Sequence, residues 1–375
     1  MVAPTRLRQY GLPYKGSKNA IAPWVIDHIP PATTLYDLFC GGCAITHAAL
    51  LSGKWRKVVA NDIDGDMPRF FLHCANGGMR GENRWISRED FFRLKDTNPY
   101  VRVCWSFAND GRTYLYSRAI EPYKRAVHYA VVFNDWADMY RLCPEVAAVA
   151  EARLSWFTDT KERRIEIGRG IVRHLRKYGT VEMIAANPLY HSCHWAHGKP
   201  KFIPSPVNPS HIEPLVSLER LERLQALQSL EGLERLQSLE SLERLERLES
   251  LERLERDDPA LIVLTQSYED VEIPDPANSV IYCDPPYDKT EQEQYVKQGG
   301  QAFNSPAFFD WCERQKALTI ISEYDMPLDR FTLIAERERK SGASSGGVIV
   351  IERLFIPRHQ QQLYTYLTGK MILTP

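Results

Sequence analysis

The stretch VIYCDPPY, at residues 280–287, determines the fold prediction for this chain. Its first four residues are of the type found in a buried strand, and an acid, two prolines and an aromatic follow. Proline lacks the N–H that a central strand donates, so the chain must leave the sheet at Pro285 and Pro286. Asp284 and Tyr287 are therefore predicted at the carboxyl end of a strand, where open α/β sheets bind ligands. An acid and an aromatic on a stiff turn suit a flat, hydrogen-bonding group such as a nucleobase.

Composition limits the class of protein. The chain has 375 residues, of which 44% are hydrophobic and 25% charged, which predicts two or more domains. Its net charge of −1 gives no global basic signature, so any nucleic-acid surface must be local. Eight scattered cysteines in so long a chain predict reduced thiols. Because the sequence shows neither an apolar leader nor a membrane-length apolar span, we expect a soluble cytoplasmic protein.

A strand, a glycine turn and a helix follow one another early in the chain. Residues 35–43 read LYDLFCGGC, and residues 44–51 have a helical pattern. This is the cofactor-binding unit of doubly wound sheets, in which glycine lets the backbone approach the ligand. Cys40 and Cys43 form a CxxC, but no second cysteine pair with metal spacing follows, so we expect no metal there.

Two further segments are of the kind that binds a nucleoside cofactor. A second strand at 58–62 ends in Asp62, about 20 residues beyond the glycines, which is the spacing of a carboxylate that accepts from ribose hydroxyls. Asp64 is the alternative for that role. Before the first strand, residues 14–18 read YKGSK and lead into a helical pattern at 21–28. A turn of this kind places backbone N–H groups beside Lys18, a good setting for a carboxylate.

The middle of the chain, from 70 to 214, alternates aromatic with basic residues. Basic residues meet phosphates and aromatics stack on bases, so the block suits nucleic-acid recognition. Taken singly, most of these aromatics also suit a small core with solvated cations around it. Residues 191–197 contain three histidines and one cysteine, but no residue completes a metal set at the usual spacing, and a polar loop is the simpler interpretation.

Residues 215–254 carry leucine at every third position, fourteen leucines in all. A strict period of three is neither the 3.5 of a coiled coil nor the 3.6 of an amphipathic stripe. The residue types favour a helix or helical hairpin, whereas the spacing suits a triangular solenoid, and both interpretations stay open. Either structure would serve as an insertion, a spacer or a self-association element.

Strand patterns return after the repeat. Residues 261–264 form one, followed by the acids Glu269 and Asp270, and residues 318–325 form another. Residues 308–311 open an amphipathic helix. The basic, glycine-rich stretch 337–347 and the apolar run 348–355 predict a closing hairpin.

Together, YKGSK, the glycine turn, the central block and DPPY resemble the DNA adenine N6-methyltransferases of phages and prokaryotes, in the order of that family's alpha arrangement. The resemblance covers residues 1–75 and 257–375. The middle of the chain resembles the family mainly by its position between these motifs. Residues 106–107 and 114–116 also look like phage-type members. The family pattern of the turn is Phe-x-Gly-x-Gly. Cys43 stands where its last glycine is usual, so the tightness of the turn is open.

The resemblance implies an α/β fold with a Rossmann-like methyltransferase core. The core would occupy 1–75 and 257–375, with a target-recognition region at 76–213 and the leucine-rich insertion at 214–256. The implied cofactor is S-adenosyl-L-methionine and the implied substrate is double-stranded DNA. Residues implied to bind the cofactor are Tyr14, Lys18, Asp37, Phe39, Gly41, Gly42, Asp62, Asp270 and Asp284. Residues implied to act on a flipped adenine are Asp284, Pro285, Pro286 and Tyr287.

Three alternatives remain at this level. The same loop can serve an N4-cytosine methyltransferase, although those enzymes more often carry serine in place of Asp284. It can also serve an RNA adenine methyltransferase. The third alternative is a catalytically inactive nucleic-acid-binding protein that uses its repeat for interactions.

Overall fold

The computed structural model describes residues 9–118, 121–142, 144, 147, 148, 151, 244, 248, 260–286, 303–340 and 349–370. Several sequence predictions fall outside the described residues: those for Tyr287, the histidine-containing segment 191–197, the hairpin loop 341–348, and the leucine repeat apart from Arg244 and Leu248.

The described strands form one mainly parallel sheet. In chain order they are β1 (Ala32–Asp37), β2 (Trp55–Asn61), β3 (Ala260–Leu264), β4 (Ser279–Cys283), β5 (Leu318–Glu323), β6 (Phe331–Lys340) and β7 (Ile349–Pro357). Their spatial order is β3-β2-β1-β4-β5-β7-β6. The first five strands pair in parallel, and β7 runs antiparallel to both β5 and β6. This mixed α/β sheet fits a methyltransferase fold.

The sheet is covered on both faces, which explains why its central strands are continuously apolar. All five residues of β4 are buried. Alternate residues enter two separate core clusters, because successive side chains of a strand point to opposite faces. Val280 and Tyr282 belong to one cluster, whereas Ile281 and Cys283 belong to the other.

Helices supply the covering layers. In chain order they are α1 (Ala22–His28), α2 (Ala44–Ser52), α3 (Asp66–Ala75), α4 (Arg88–Leu94), α5 (Pro99–Cys104), α6 (Glu121–His128), α7 (Ala137–Leu142), α8 (Ser305–Arg314) and α9 (Gln361–Thr368). The helices predicted at 21–28 and 44–51 are confirmed as α1 and α2. Within the described ranges, each helix is too short or too polar to span a lipid bilayer.

The region from 76 to 142 is mostly helical, and most of its aromatic residues are core. Tyr100, Trp105 and Tyr114 are buried, and their hydrophobic cluster is continuous with the one beneath the sheet. Trp85 stacks on Tyr116 with the rings 5.6 Å apart and nearly parallel. A few aromatics remain at the surface, and Phe107 is among them at 53% exposed.

Candidate active site

The sheet reverses its direction of growth between β1 and β4. From β1 the chain adds β2 and then β3 on one side, and it later returns to place β4 on the other side. In open α/β sheets the crevice at such a switch point is the usual ligand site. Asp37 is the last residue of β1, and Asp284 follows β4 directly. Their strands are still held together at this end, since Leu38 N donates to Tyr282 O at 3.0 Å.

Lys18 reaches this crevice from the amino-terminal segment. Its Nζ lies 2.8 Å from Asp284 Oδ1, and the two side chains are 5% and 17% exposed. Lys18 begins a single 3₁₀ turn, which Ser17 caps by accepting a hydrogen bond from Asn19 N. Two segments far apart in the sequence, YKGSK and DPPY, are therefore joined by a largely buried ion pair.

The glycine turn after β1 is packed against Tyr14. A Cβ on Gly42 would lie 2.5 Å from Tyr14 Cβ, and one on Gly41 would lie 3.1 Å from its ring. Leu12 N also donates to Gly42 O at 2.6 Å. A side chain at either glycine would push the amino-terminal segment away from the turn, so close backbone approach explains both glycines.

Cys43 takes the conformation that glycine prefers. Its φ is +57° and its ψ is 33°, in the left-handed region, and it is fully buried at the start of α2. Cys43 N donates to Cys40 O at 2.6 Å, which closes the turn. The turn is therefore tight even without the family's last glycine. The left-handed conformation costs a non-glycine residue about 1–2 kcal/mol.

Asp62 ties the end of β2 to the glycine turn. Its Oδ2 accepts from Gly41 N at 2.8 Å and its Oδ1 from Asp64 N at 2.9 Å. Burial raises the pKa of Asp62 to about 6, although both backbone hydrogen bonds oppose that shift. Asp64 instead pairs with Arg102 of α5 at 3.3 Å. Of the two acids considered for ribose binding, Asp62 is thus the one that is hydrogen-bonded to the glycine turn.

Asp37 is a buried carboxyl with one satisfied oxygen. Its Oδ2 accepts from Thr46 N at 3.1 Å and from Thr46 Oγ1 at 2.7 Å. Its Oδ1 is buried without a hydrogen-bond partner among the described residues. Burial raises the pKa of Asp37 to about 7, and the neighbouring Asp284 carboxylate contributes in the same direction. A buried acceptor without a donor is costly, which makes this oxygen a natural place for a ligand cation.

Aromatic side chains that follow β1 and β3 pack against α8. The ring of Phe39 lies 5.2 Å from Tyr268 and 5.6 Å from Phe308, measured between centroids. Tyr268 opens a 3₁₀ turn that ends at Asp270. Asp270 and Glu269 are both exposed on this turn.

Sequence reasoning missed one residue in this region. Ile63 follows Asp62 and is 69% exposed, although large aliphatic side chains are usually buried. An exposed isoleucine beside the ribose candidate offers an apolar surface to a ligand. In the sequence, the position of Ile63 between the acids Asp62 and Asp64 was the signal that could have indicated an exposed side chain.

The DPPY turn is only partly described. Asp284 is half-buried, and Pro285 and Pro286 are buried, while Tyr287 lies outside the described residues. The predictions that Tyr287 and Asp270 take part in the site therefore remain predictions. Within the described ranges, no group of three or more His, Cys, Asp or Glu side chains is placed to hold a metal.

A short loop between α5 and α6 presents an exposed aromatic. Residues 105–115 form a narrow hairpin-like loop, in which Phe107 N donates to Thr113 O at 2.7 Å and Leu115 N donates to Trp105 O at 2.8 Å. Ala108 adopts a left-handed conformation in this loop. Phe107 and Arg112 both face solvent here.

Comparison with known proteins gives a family match for part of the chain. The family described as D12 class N6 adenine-specific DNA methyltransferase matches residues 14–141. This range contains the ends of β1 and β2, the glycine turn and the aromatic loop at 105–115. No curated protein matches the chain. Residues 14–141 are similar to the D12 class N6 adenine-specific DNA methyltransferases, and this match indicates a DNA adenine methyltransferase.

Proposed function

We propose that the crevice between β1 and β4 binds S-adenosyl-L-methionine and brings its methyl group to N6 of an adenine flipped out of double-stranded DNA. The observation that carries this proposal is the meeting, at the switch point, of Lys18, Asp284 and the Asp37 oxygen that has no hydrogen-bond partner among the described residues. The cofactor supplies the methyl group, and the protein supplies alignment and electrostatics. Such an enzyme would act in the cytoplasm of a prokaryotic cell or phage-infected host.

The donor set at the crevice fits the methionine end of this cofactor. That end carries a carboxylate and an ammonium group, which need a cation and an anion respectively. Lys18 and Tyr14 would hold the carboxylate, and Tyr14 is positioned by its packing against the turn at Gly41 and Gly42. Asp37 Oδ1 would accept from the ammonium group, which would satisfy its buried oxygen.

The adenosine end would lie toward β2 and β3. Asp62 would accept from the ribose hydroxyls with the lone pairs that its two backbone hydrogen bonds leave. Ile63 and Phe39 would offer apolar surface to the adenine ring, and Asp270 would lie near its polar edge. Exposure of Ile63 and Asp270 supports this assignment, since both side chains are accessible to a ligand.

The target base would meet the DPPY turn. The N6 lone pair of adenine is delocalised into the ring, so the nitrogen is a weak nucleophile. Asp284 and the carbonyl oxygen of Pro285 would accept hydrogen bonds from the amino group and draw it toward tetrahedral geometry. Pro286 would keep the turn rigid, and Tyr287 would stack on the flipped ring, because a base inside the duplex is out of reach.

The loop at 105–115 would contact the DNA itself. An exposed aromatic can stack on or wedge between bases, and an arginine can bind phosphate. Phe107 and Arg112 provide this pair on one loop. Self-association through the repeat at 215–254 stays a prediction.

Nucleoside mass spectrometry on methylation-free DNA, incubated with the protein and S-adenosylmethionine, tests the proposal. N6-methyladenine is the expected product. N4-methylcytosine would mean that the target base is cytosine. Cofactor binding without a methylated DNA product would point to an RNA substrate. Failure to bind the cofactor, measured by calorimetry, would refute the cofactor site and favour an inactive nucleic-acid-binding protein.

A further inference from the structure

One side chain of the leucine repeat holds the carboxyl end of α5. Arg244 Nη1 donates to the carbonyl oxygens of Cys104 at 2.6 Å, Ser106 at 3.0 Å and Val103 at 3.4 Å. The last carbonyls of a helix have no partner within the helix, and leaving them buried without a donor is costly. A planar guanidinium is well suited to bind several carbonyls at once.

Neighbouring carbonyls of the same turn are satisfied locally. Trp105 N donates to Val101 O at 3.2 Å. Ser106 Oγ donates to Arg102 O at 2.7 Å. Arg244 serves the carbonyls of the next two residues, so the repeat completes the end of this helix.

A second residue of the repeat is also buried. Leu248 is fully buried and belongs to the main hydrophobic cluster, which extends from the sheet to Val101, Val103 and Cys104 of α5. Arg244 and Leu248 are both helical, and a separation of four places them on one helix face. This face combines one polar anchor with one apolar anchor.

From α5 the contacts continue to the loop after β2. Arg102 Nη2 lies 3.3 Å from Asp64 and 3.5 Å from Asp66. Asp64 N in turn donates to Asp62 Oδ1 at 2.9 Å. A continuous set of hydrogen bonds and ion pairs therefore runs from the repeat to the proposed ribose-binding acid.

We propose that the repeat docks on α5 through Arg244 and Leu248, and that Arg244 is a positioning residue for the cofactor loop at 62–66. The occupant of this surface is the chain's own repeat. Docking stabilises the end of α5. The ion pair of Arg102 with Asp64, and the hydrogen bond from Asp64 to Asp62, then stabilise the loop at 62–66. The docking stands on the contacts alone, whereas its effect on the cofactor rests on the proposed function.

Hydrogen exchange and cofactor titration on the full chain test the two parts separately. Arg244→Ala is expected to speed exchange of amides in 99–106 and 62–66, and to weaken S-adenosylmethionine binding by about fivefold. Arg244→Lys keeps the charge but loses the planar fork, so it should rescue part of both effects. Arg223→Ala is the matched control, because Arg223 lies in an identical Leu-Glu-Arg-Leu context, and it should change neither.

Each outcome decides a separate point. Unchanged exchange in Arg244→Ala, or equal changes in Arg223→Ala, would overturn the docking. Faster exchange with unaltered cofactor affinity would overturn the positioning role alone. If the wild type binds no cofactor, the proposed function fails while the exchange data still decide the docking. If Arg244→Ala does not fold, Arg244→Met takes its place, because methionine keeps the length of the side chain and removes its donors, and wild-type exchange in that variant would overturn the docking.

Discussion

Lys18 and Asp284 form an ion pair of 2.8 Å between the amino-terminal segment and the DPPY turn. Both side chains are largely removed from water, so removing one partner leaves the other in a poorly solvated position. Asp284→Ala is expected to abolish methyl transfer and to lower the free energy of unfolding by about 2–4 kcal/mol.

Methylation assays, DNA-binding titrations and denaturant unfolding check this prediction, with DNA affinity expected to change little. A double-mutant cycle with Lys18→Met should show that the stability effects are not additive, because the two side chains contact each other. Turnover near the wild-type rate in Asp284→Ala would show that another group carries out the reaction.

Asp37 should make stability depend on pH. Its pKa is about 7 in the folded protein and 3.8 as a free side chain, so the folded state holds a proton that the unfolded state loses first. The stability that protonated Asp37 contributes to the folded state is fully present below pH 3.8 and is lost as pH rises through about 7. Asp37→Asn removes this titration. As pH rises from 3.8 to about 7, the free energy of unfolding of this variant, relative to that of the wild type, should increase by up to about 4 kcal/mol. A difference in the free energy of unfolding between variant and wild type that stays constant across that pH range would contradict the raised pKa of Asp37.

Gly42→Ala should disturb the cofactor turn. The added Cβ would lie 2.5 Å from Tyr14 Cβ and 3.3 Å from the Leu12 carbonyl oxygen, so the amino-terminal segment must shift. We expect a loss of about 1–3 kcal/mol in stability and weaker binding of S-adenosylmethionine. Gly53→Ala is the control, since its Cβ would meet no atom within 4 Å. It should lose only the cost of a left-handed alanine and keep its cofactor affinity. Equal cofactor affinities for the two variants would show that Tyr14 does not depend on the turn.

Cys43 allows a comparison of backbone strain with packing. Cys43→Gly relieves a left-handed conformation worth about 1–2 kcal/mol, but it empties a fully buried site. Cys43→Ala empties most of the same site and keeps the strain. Cys43→Gly should therefore be the more stable of the two by about 1 kcal/mol in thermal or denaturant unfolding. If Cys43→Ala were the more stable variant, packing of the Cβ would outweigh the relief of the left-handed backbone conformation.

Phe107 should matter for DNA and not for stability. Its side chain is 53% exposed, so Phe107→Ala removes little buried surface. Loss of stacking on a base is expected to weaken DNA binding by about 1–3 kcal/mol. Phe92→Ala is a matched control, because Phe92 is 50% exposed on α4. Melting temperatures of both variants should stay near wild type, and equal DNA affinities would remove Phe107 from the interface.

The amino-acid sequence by itself determined the local units of this protein. Strand, glycine turn and helix at 35–51 were predictable because strand-type residues, a glycine pair and helix-forming residues follow one another directly in the sequence. Boundaries moved by a few residues: β1 begins at Ala32, and the strand expected to reach 325 ends at Glu323. The family resemblance, too, rested on short motifs in a fixed order.

Tertiary structure decided which residues meet. The pair of Lys18 with Asp284 depends on the sheet order, which places β4 beside β1, and no local pattern contains that information. The left-handed Cys43 was not predictable because surrounding packing overrides its backbone preference. Nor does the repeat distinguish Arg244 from its identical neighbours, since a periodic sequence offers every copy the same local signal. The position of the carbonyls at the end of α5 is what brings Arg244 into its contacts.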